Sequence, residues 1–208
     1  MYAFGKDKLI ENIQQNAATI ISRIEQEEIK RVDATAYLGG ENRGLELEIA
    51  QHFNINLKVP SDYQKAIYDA DDRFMWIRRD TRDANTNIFI HKLPYFDQAQ
   101  LSRDTMKAIR NYLGKYVSTA NENSYMKIND IDLPMFIEAK TLSDNYALEA
   151  RGIWDIENDF MGGPFLSYLI HNPTKNELVF IDGFIHAPGE EKRDHMQELE
   201  YILNSVQM

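Results

Sequence analysis

The chain contains no cysteine. Disulfides, thiolate nucleophiles and cysteine-held zinc or iron–sulfur clusters are therefore excluded. It also lacks any apolar run near the roughly 20 residues that a membrane-spanning helix needs, and residues Met1–Lys8 do not have the charged-then-apolar form of a signal peptide. An excess of positive charge is missing too: 23 lysines and arginines face 33 acidic residues, a net −10. The densest basic cluster, Arg73, Arg78, Arg79 and Arg82, is interleaved with Asp71, Asp72, Asp80 and Asp83. A polyanion would meet mixed charge there, so nucleic acid is not expected as a partner. Local catalytic signatures are absent as well: no Gly-x-Ser-x-Gly elbow, no His-Glu-x-x-His, no Walker loop and no Gly-x-Gly-x-x-Gly. On this reading no catalytic residue is assigned, and neither a metal ion nor a cofactor is expected.

What is present is an ordinary globular balance, 43% hydrophobic and 27% charged, in a chain of 208 residues. That is enough to build a core, and the chain is expected to fold throughout as a single α+β domain, 1–208. Leu9, Ile10, Ile13, Ala17, Ile20, Ile21 and Ile24 recur at helical spacing, which predicts a long amphipathic helix from Lys6 to Val32. After Gly39-Gly40, Leu45–Phe53 reads as a short helix, with an alternating strand as the other option. Asn54–Pro60 alternates polar and apolar residues, as a half-buried strand does. Strands are also expected at Arg73–Arg79 and Asn87–Leu93, joined as a hairpin. Asp97 with Gln100 suggests a capping box for a helix carrying Met106, Ile109, Leu113, Tyr116 and Val117.

Beyond the polar linker Ser118–Ser124, strands are predicted over Tyr146–Ile156, Phe165–Ile170 and Glu177–His186, the last two joined through the turn Asn172–Asn176. Met196, Leu199, Leu203 and Val206 mark a closing helix. Short connections of this kind imply a mainly antiparallel sheet covered by helices. The segments Phe89-Ile90-His91 and Phe184-Ile185-His186 are each followed by a proline, an Arg-Asp pair and a methionine. Either the halves 1–118 and 125–208 are duplicated, or two strand-to-helix junctions are built from similar materials.

Three groups of residues invite a chemical reading. His186 and His195 with Glu190 would make a metal site if the closing helix folded back, although scattered histidines are ordinarily surface residues. Asp155, Glu157 and Asp159 would share one face of a continued strand, either as paired carboxylates or as an acidic edge that discourages pairing. The most distinctive run is Asp159-Phe160-Met161-Gly162-Gly163-Pro164-Phe165. Its glycines permit positive φ or close backbone approach, and Pro164 fixes the next dihedral at a strand entrance. With Trp154 upstream, Tyr168 downstream and Arg151 on the preceding strand, it reads either as an aromatic-walled recognition loop or as a bulged corner plugging the sheet's end.

Arg151-Gly152-Ile153-Trp154, the run from Asp159 to Phe165, Gly183-Phe184-Ile185-His186-Ala187-Pro188 and Lys192-Arg193 resemble a family of Gram-negative bacterial lipoproteins catalogued as a domain of unknown function. Asn54–Pro60, Tyr63 and Trp76-Ile77-Arg78-Arg79 look like its central section, so the resemblance covers most of the chain from about Gln51 onward. It implies a lipid-anchored location in the cell envelope, with membrane contact only through the anchor. Members of that family begin with an acylated cysteine. This chain has none, and Met1 is therefore expected to open a fragment of a longer protein. A weaker, architectural similarity is to the α/β/α arrangement of small photosystem-assembly and nuclear-transport accessory proteins, which act by binding partners.

The leading expectation is a binding or accessory module that uses Arg151, Trp154, Phe160, Met161, Gly162, Gly163, Pro164 and Tyr168 to contact another envelope protein or a small ligand. The alternative is a hydrolase-type enzyme with a dispersed site drawn from His186, His195, Asp155 and Arg151.

Overall fold

The computed structural model describes residues 5–208; the expectation about Met1 lies outside them. The chain divides into two compact units, Met1–Leu38 and Gly39–Met208. In the first, helix α1 (Lys6–Ala36) has no side-chain cap at its start. It carries the i, i+3 pairs Lys8–Glu11 and Lys30–Glu27 on exposed turns, contacts that stabilise a helix only slightly.

The second unit is one antiparallel sheet between two layers of helix. Its strands are β1 (Gln64–Asp69), β2 (Phe74–Asp80), β3 (Asn85–Pro94), β4 (Met126–Ile128), β5 (Phe136–Leu142), β6 (Asn145–Ile156), β7 (Gly162–Asn172) and β8 (Glu177–His186). They run in the order β1-β2-β3-β8-β7-β6-β4, and β5 also pairs with β6. The last strand in the sequence, β8, thus sits between β3 and β7 in the interior of the sheet. Helices α2 (Arg43–Phe53) and α4 (Arg193–Asn204) cover one face, and α3 (Arg103–Leu113) covers the other.

Alternation along each strand sorts the core into these two faces. Met75, Ile77, Ile88, Ile90, Leu166, Val179 and Ile181 meet Ile49 and Phe53 of α2 and Leu199 and Leu203 of α4 on the first face. On the second, Phe89, Trp154, Phe165, Phe180 and Phe184 meet Met106, Ile109 and Leu113 of α3. Both sides of β7 and β8 are buried, which is why these strands read as nearly unbroken apolar runs. α4 is held at both flanks: Glu198 accepts two hydrogen bonds from Arg79 of β2, and Glu200 pairs with Arg151 of β6.

Several expectations are corrected. Asn54–Pro60 is extended but lies outside the sheet, touching other segments only through isolated bridges at Asn56↔Gln207 and Glu41↔Pro60. Its alternation is real, because Ile55, Leu57 and Val59 pack into the first-face core; period-two burial requires an apolar surface, not a paired neighbour. The Asp97/Gln100 capping box caps a single 3-10 turn, Gln98–Gln100, while α3 starts at Arg103 with Ser102 accepting from the Thr105 N–H. Tyr116 falls in a second 3-10 turn, Gly114–Tyr116, and Val206 lies beyond α4. Leu45–Phe53 is helical, within α2. β3 and β8, which carry the repeated tripeptides, lie side by side, and the helices that follow them pack on opposite faces.

Candidate functional site

The β6–β7 turn brings five of the expected site residues together. Asn158 adopts φ 61°, a left-handed conformation that asparagine tolerates. Asp159 accepts from the Phe160 N–H, and the Ile156 N–H donates to the Met161 carbonyl. Phe160 at the tip is fully exposed, whereas Met161 packs on the second-face core. Gly162 and Gly163 open β7, and both serve close approach: a Cβ on Gly163 would lie 2.0 Å from the Ile185 carbonyl oxygen, and one on Gly162 2.7 Å from that of Trp154. Pro164 follows, opposite Ile153.

The other three are elsewhere. Trp154 is buried on the second face, edge-on to Phe184 at 5.6 Å. Tyr168 is buried on the first face. Arg151 is on that face too, partly exposed, bonded to Glu149 and Glu200. Glu149 is buried between Arg151 and Lys140. Burial works to raise its pKa, but the hydrogen bonds from Arg151 and Lys140 win and hold its carboxyl below the usual range. Burial also pushes the neighbouring Tyr168 phenol far up, and the Glu149 charge adds to this. This network ties β5, β6 and α4 together.

Of the residues of the alternative, enzymatic reading, His186 stands on the opposite face of the sheet from the other three. His186 meets the Gly162 carbonyl through Nδ1 at 3.3 Å and lies 6.3 Å from Trp154, on the second face. Asp155 and Arg151 alternate with Trp154 and so belong to the opposite face. His195 is on α4, over the first face. Glu157 pairs with Lys127, and Asp159 caps its own turn. No group of three histidines or carboxylates comes together with metal-binding geometry among the described residues.

Two features carried no sequence signal that the reading used. One is a buried polar cluster beneath α3. Arg110 donates to Asp182 at 3.1 Å, Ser167 donates to the same oxygen at 2.6 Å, and the guanidinium lies 3.8 Å over the Phe165 ring. Burial pushes Asp182 up and Arg110 down, each partner opposing the other's shift. An aspartate inside the apolar run Leu178–Phe184 was the available clue.

The other feature is the β4–β5 loop, residues 129–135. The Asn129 side chain accepts from the Ile131 and Asp132 N–H groups, and the Asn129 backbone N–H donates to the Ile153 carbonyl. Asp130 accepts from the Met135 N–H at 2.7 Å, from Arg103 at 2.9 and 3.0 Å and from Lys107 at 2.8 Å. The Lys107 contact, then the Met135 N–H, hold its carboxyl down to about 2. So fastened, the loop points Ile131 into solvent at 94% exposure, with Phe136 at 62% and Leu133 also exposed. β4 and β5 line the same edge of β6. Tyr125 accepts from the Glu157 N–H beside the Phe160 turn, at the end of that edge.

The second unit is thus an antiparallel sheet layered between helices, with Ile131, Leu133 and Phe136 exposed where β4 leads into β5. The chain belongs to the family described as domain of unknown function DUF4837, whose model matches residues 42–205. No curated protein matches it. Among solved structures it is similar to LpqN, involved in cell envelope biogenesis of Mycobacterium tuberculosis, at 16% identity and a TM-score of 0.44, covering 74% of this chain and 82% of that one. It is also similar to the Ran-binding protein Mog1p of Saccharomyces cerevisiae, at 11% identity and a TM-score of 0.44, covering 74% of this chain and 89% of that one.

Proposed function

We propose that this DUF4837 domain is a binding module that docks another protein along the β6 edge, through Ile131, Leu133, Phe136 and the Phe160 turn. The observation that carries this reading is the β4–β5 loop: Ile131 and Leu133, with Phe136 at the start of β5, face water on a segment where Asn129 accepts from the Ile131 N–H and Asp130 accepts from the Met135 N–H, Arg103 and Lys107. A floppy loop would lose conformational freedom on docking. This one has already lost it, so more of the apolar burial contributes to affinity. Exposed apolar residues beside charged groups are the usual anatomy of a docking surface. Met161 and Trp154 act beneath it as support, and Gly162, Gly163 and Pro164 set the turn.

The test is a photo-reactive residue placed at Ile131 in cells, set beside the variants Ile131→Ser, Phe136→Ser and Phe160→Ser. The reading expects one dominant crosslinked partner, lost in the serine variants while the melting temperature is kept. A diffuse crosslinking pattern unaffected by the substitutions overturns it. By the resemblance to lipoproteins, the partner is another envelope protein and the full-length protein is lipid-anchored. Labelled fatty acid incorporated into the native protein, together with membrane fractionation, checks that location. No helix among the described residues is long and apolar enough to cross a membrane itself.

A further inference from the structure

The first unit contains a surface that the binding reading does not use. Along α1, Ile10, Ile13, Ala17, Ile20 and Ile24 follow one another at alternating steps of three and four. That is the 3.5-residue repeat of a coiled-coil seam, with Ile10, Ala17 and Ile24 at the a positions and Ile13 and Ile20 at d. Ile10, Ile13 and Ile24 are 43%, 48% and 54% exposed, with Leu9, Ile21 and Ile29 beside them similarly exposed, while Ala17 and Ile20 are half-buried. A helix without a capping side chain draws little stability from its own backbone, so an apolar stripe of this length in water calls for a covering surface.

We infer that α1 is an oligomerisation helix whose occupant is other copies of this chain, packed in parallel as a short coiled coil. Two features select that occupant. A strict 3.5-residue seam is complementary to itself, since each knob enters a hole formed by four residues of the facing helix. The flanks also match: Arg23 stands at a g position and Glu28 at the following e position, so parallel chains place Arg23 of one copy beside Glu28 of the next, and the reciprocal pairs recur around the bundle.

Isoleucine at both a and d favours three or more chains over two. Glu27 and Arg31 take the next d and a positions, where parallel copies bring like charges together, so the seam ends at Ile24. The apolar part spans only two heptads, so assembly depends on concentration.

Sedimentation velocity of the 208-residue chain over a concentration series tests this. The expected result is a monomer of 24.2 kDa at low concentration giving way to a trimer, with Ile13→Asn/Ile20→Asn remaining monomeric throughout. Because those substitutions also perturb the helix, Arg23→Glu and Glu28→Arg provide the second arm. Each alone should weaken association by about tenfold, and the two together in one chain should restore it. A chain that stays monomeric at every concentration, or an oligomer indifferent to both sets of substitutions, overturns the inference. Neither outcome touches crosslinking at Ile131, so the docking edge stands or falls separately.

Discussion

Gly163 has no space for a side chain. A methyl group there would meet the backbone oxygen of Ile185, which cannot turn aside as a flexible side chain would. Gly163→Ala should therefore cost about 1–3 kcal/mol or more through overpacking, read as a fall in the urea midpoint. Phe160→Ser, only three residues away, should change stability by less than about 0.5 kcal/mol because that ring touches solvent alone. The buried pair beneath α3 makes a second contrast. Arg110→Met or Asp182→Leu alone leaves an uncompensated buried charge and should cost about 3–5 kcal/mol, whereas the double variant should recover much of that loss. A double-mutant cycle measures the recovery. Asp182 also sets a pH dependence. Its carboxyl is raised by burial, so the folded state binds the proton more tightly than the unfolded chain. That contribution is full below the unfolded value of about 3.9 and declines as pH rises through the folded one. Asp182→Leu should remove this slope from stability measured against pH.

At the scale of elements, the β4–β5 loop depends on Asp130 with the opposite sign. Its carboxyl is depressed to about 2, so its contribution is present above the unfolded value of about 3.9 and lost as pH falls through about 2. Asp130→Asn should speed amide exchange at Met135 at neutral pH and leave the strands of the sheet protected. None of this anchoring was legible in the sequence, because Arg103 and Lys107 reach Asp130 from a helix remote in the chain. The strands show the same division. β6, β7 and β8 are legible because burial on their faces demands runs or alternation of apolar residues. β1 and β5 are mostly exposed and β4 is three residues long, so none of them leaves a periodic trace. The Gly162-Gly163 junction was visible as a place of close approach. Which aromatics it exposes was not, since Trp154 and Phe160 look alike until packing buries one of them.

For the molecule as a whole, both hydrophobic cores are built from residues after Gly39. The fragment Gly39–Met208 should therefore fold and unfold cooperatively by itself, checked by circular dichroism, and should sediment as a monomer. The order of the sheet has a further consequence, for synthesis. β8 joins β3 to β7, with Asn85 facing His186 and Pro94 facing Glu177, so the two parts of the sheet have no direct strand pairing until nearly the whole chain has been made. Contacts so distant in sequence form slowly. During that interval, the β2–β3 hairpin and the β6–β7 pair each wait with a bare edge, the condition in which nascent chains aggregate or recruit a chaperone. A ribosome stalled before Glu177 would hold two unfinished half-sheets, and the next strand to emerge would be the one that joins them.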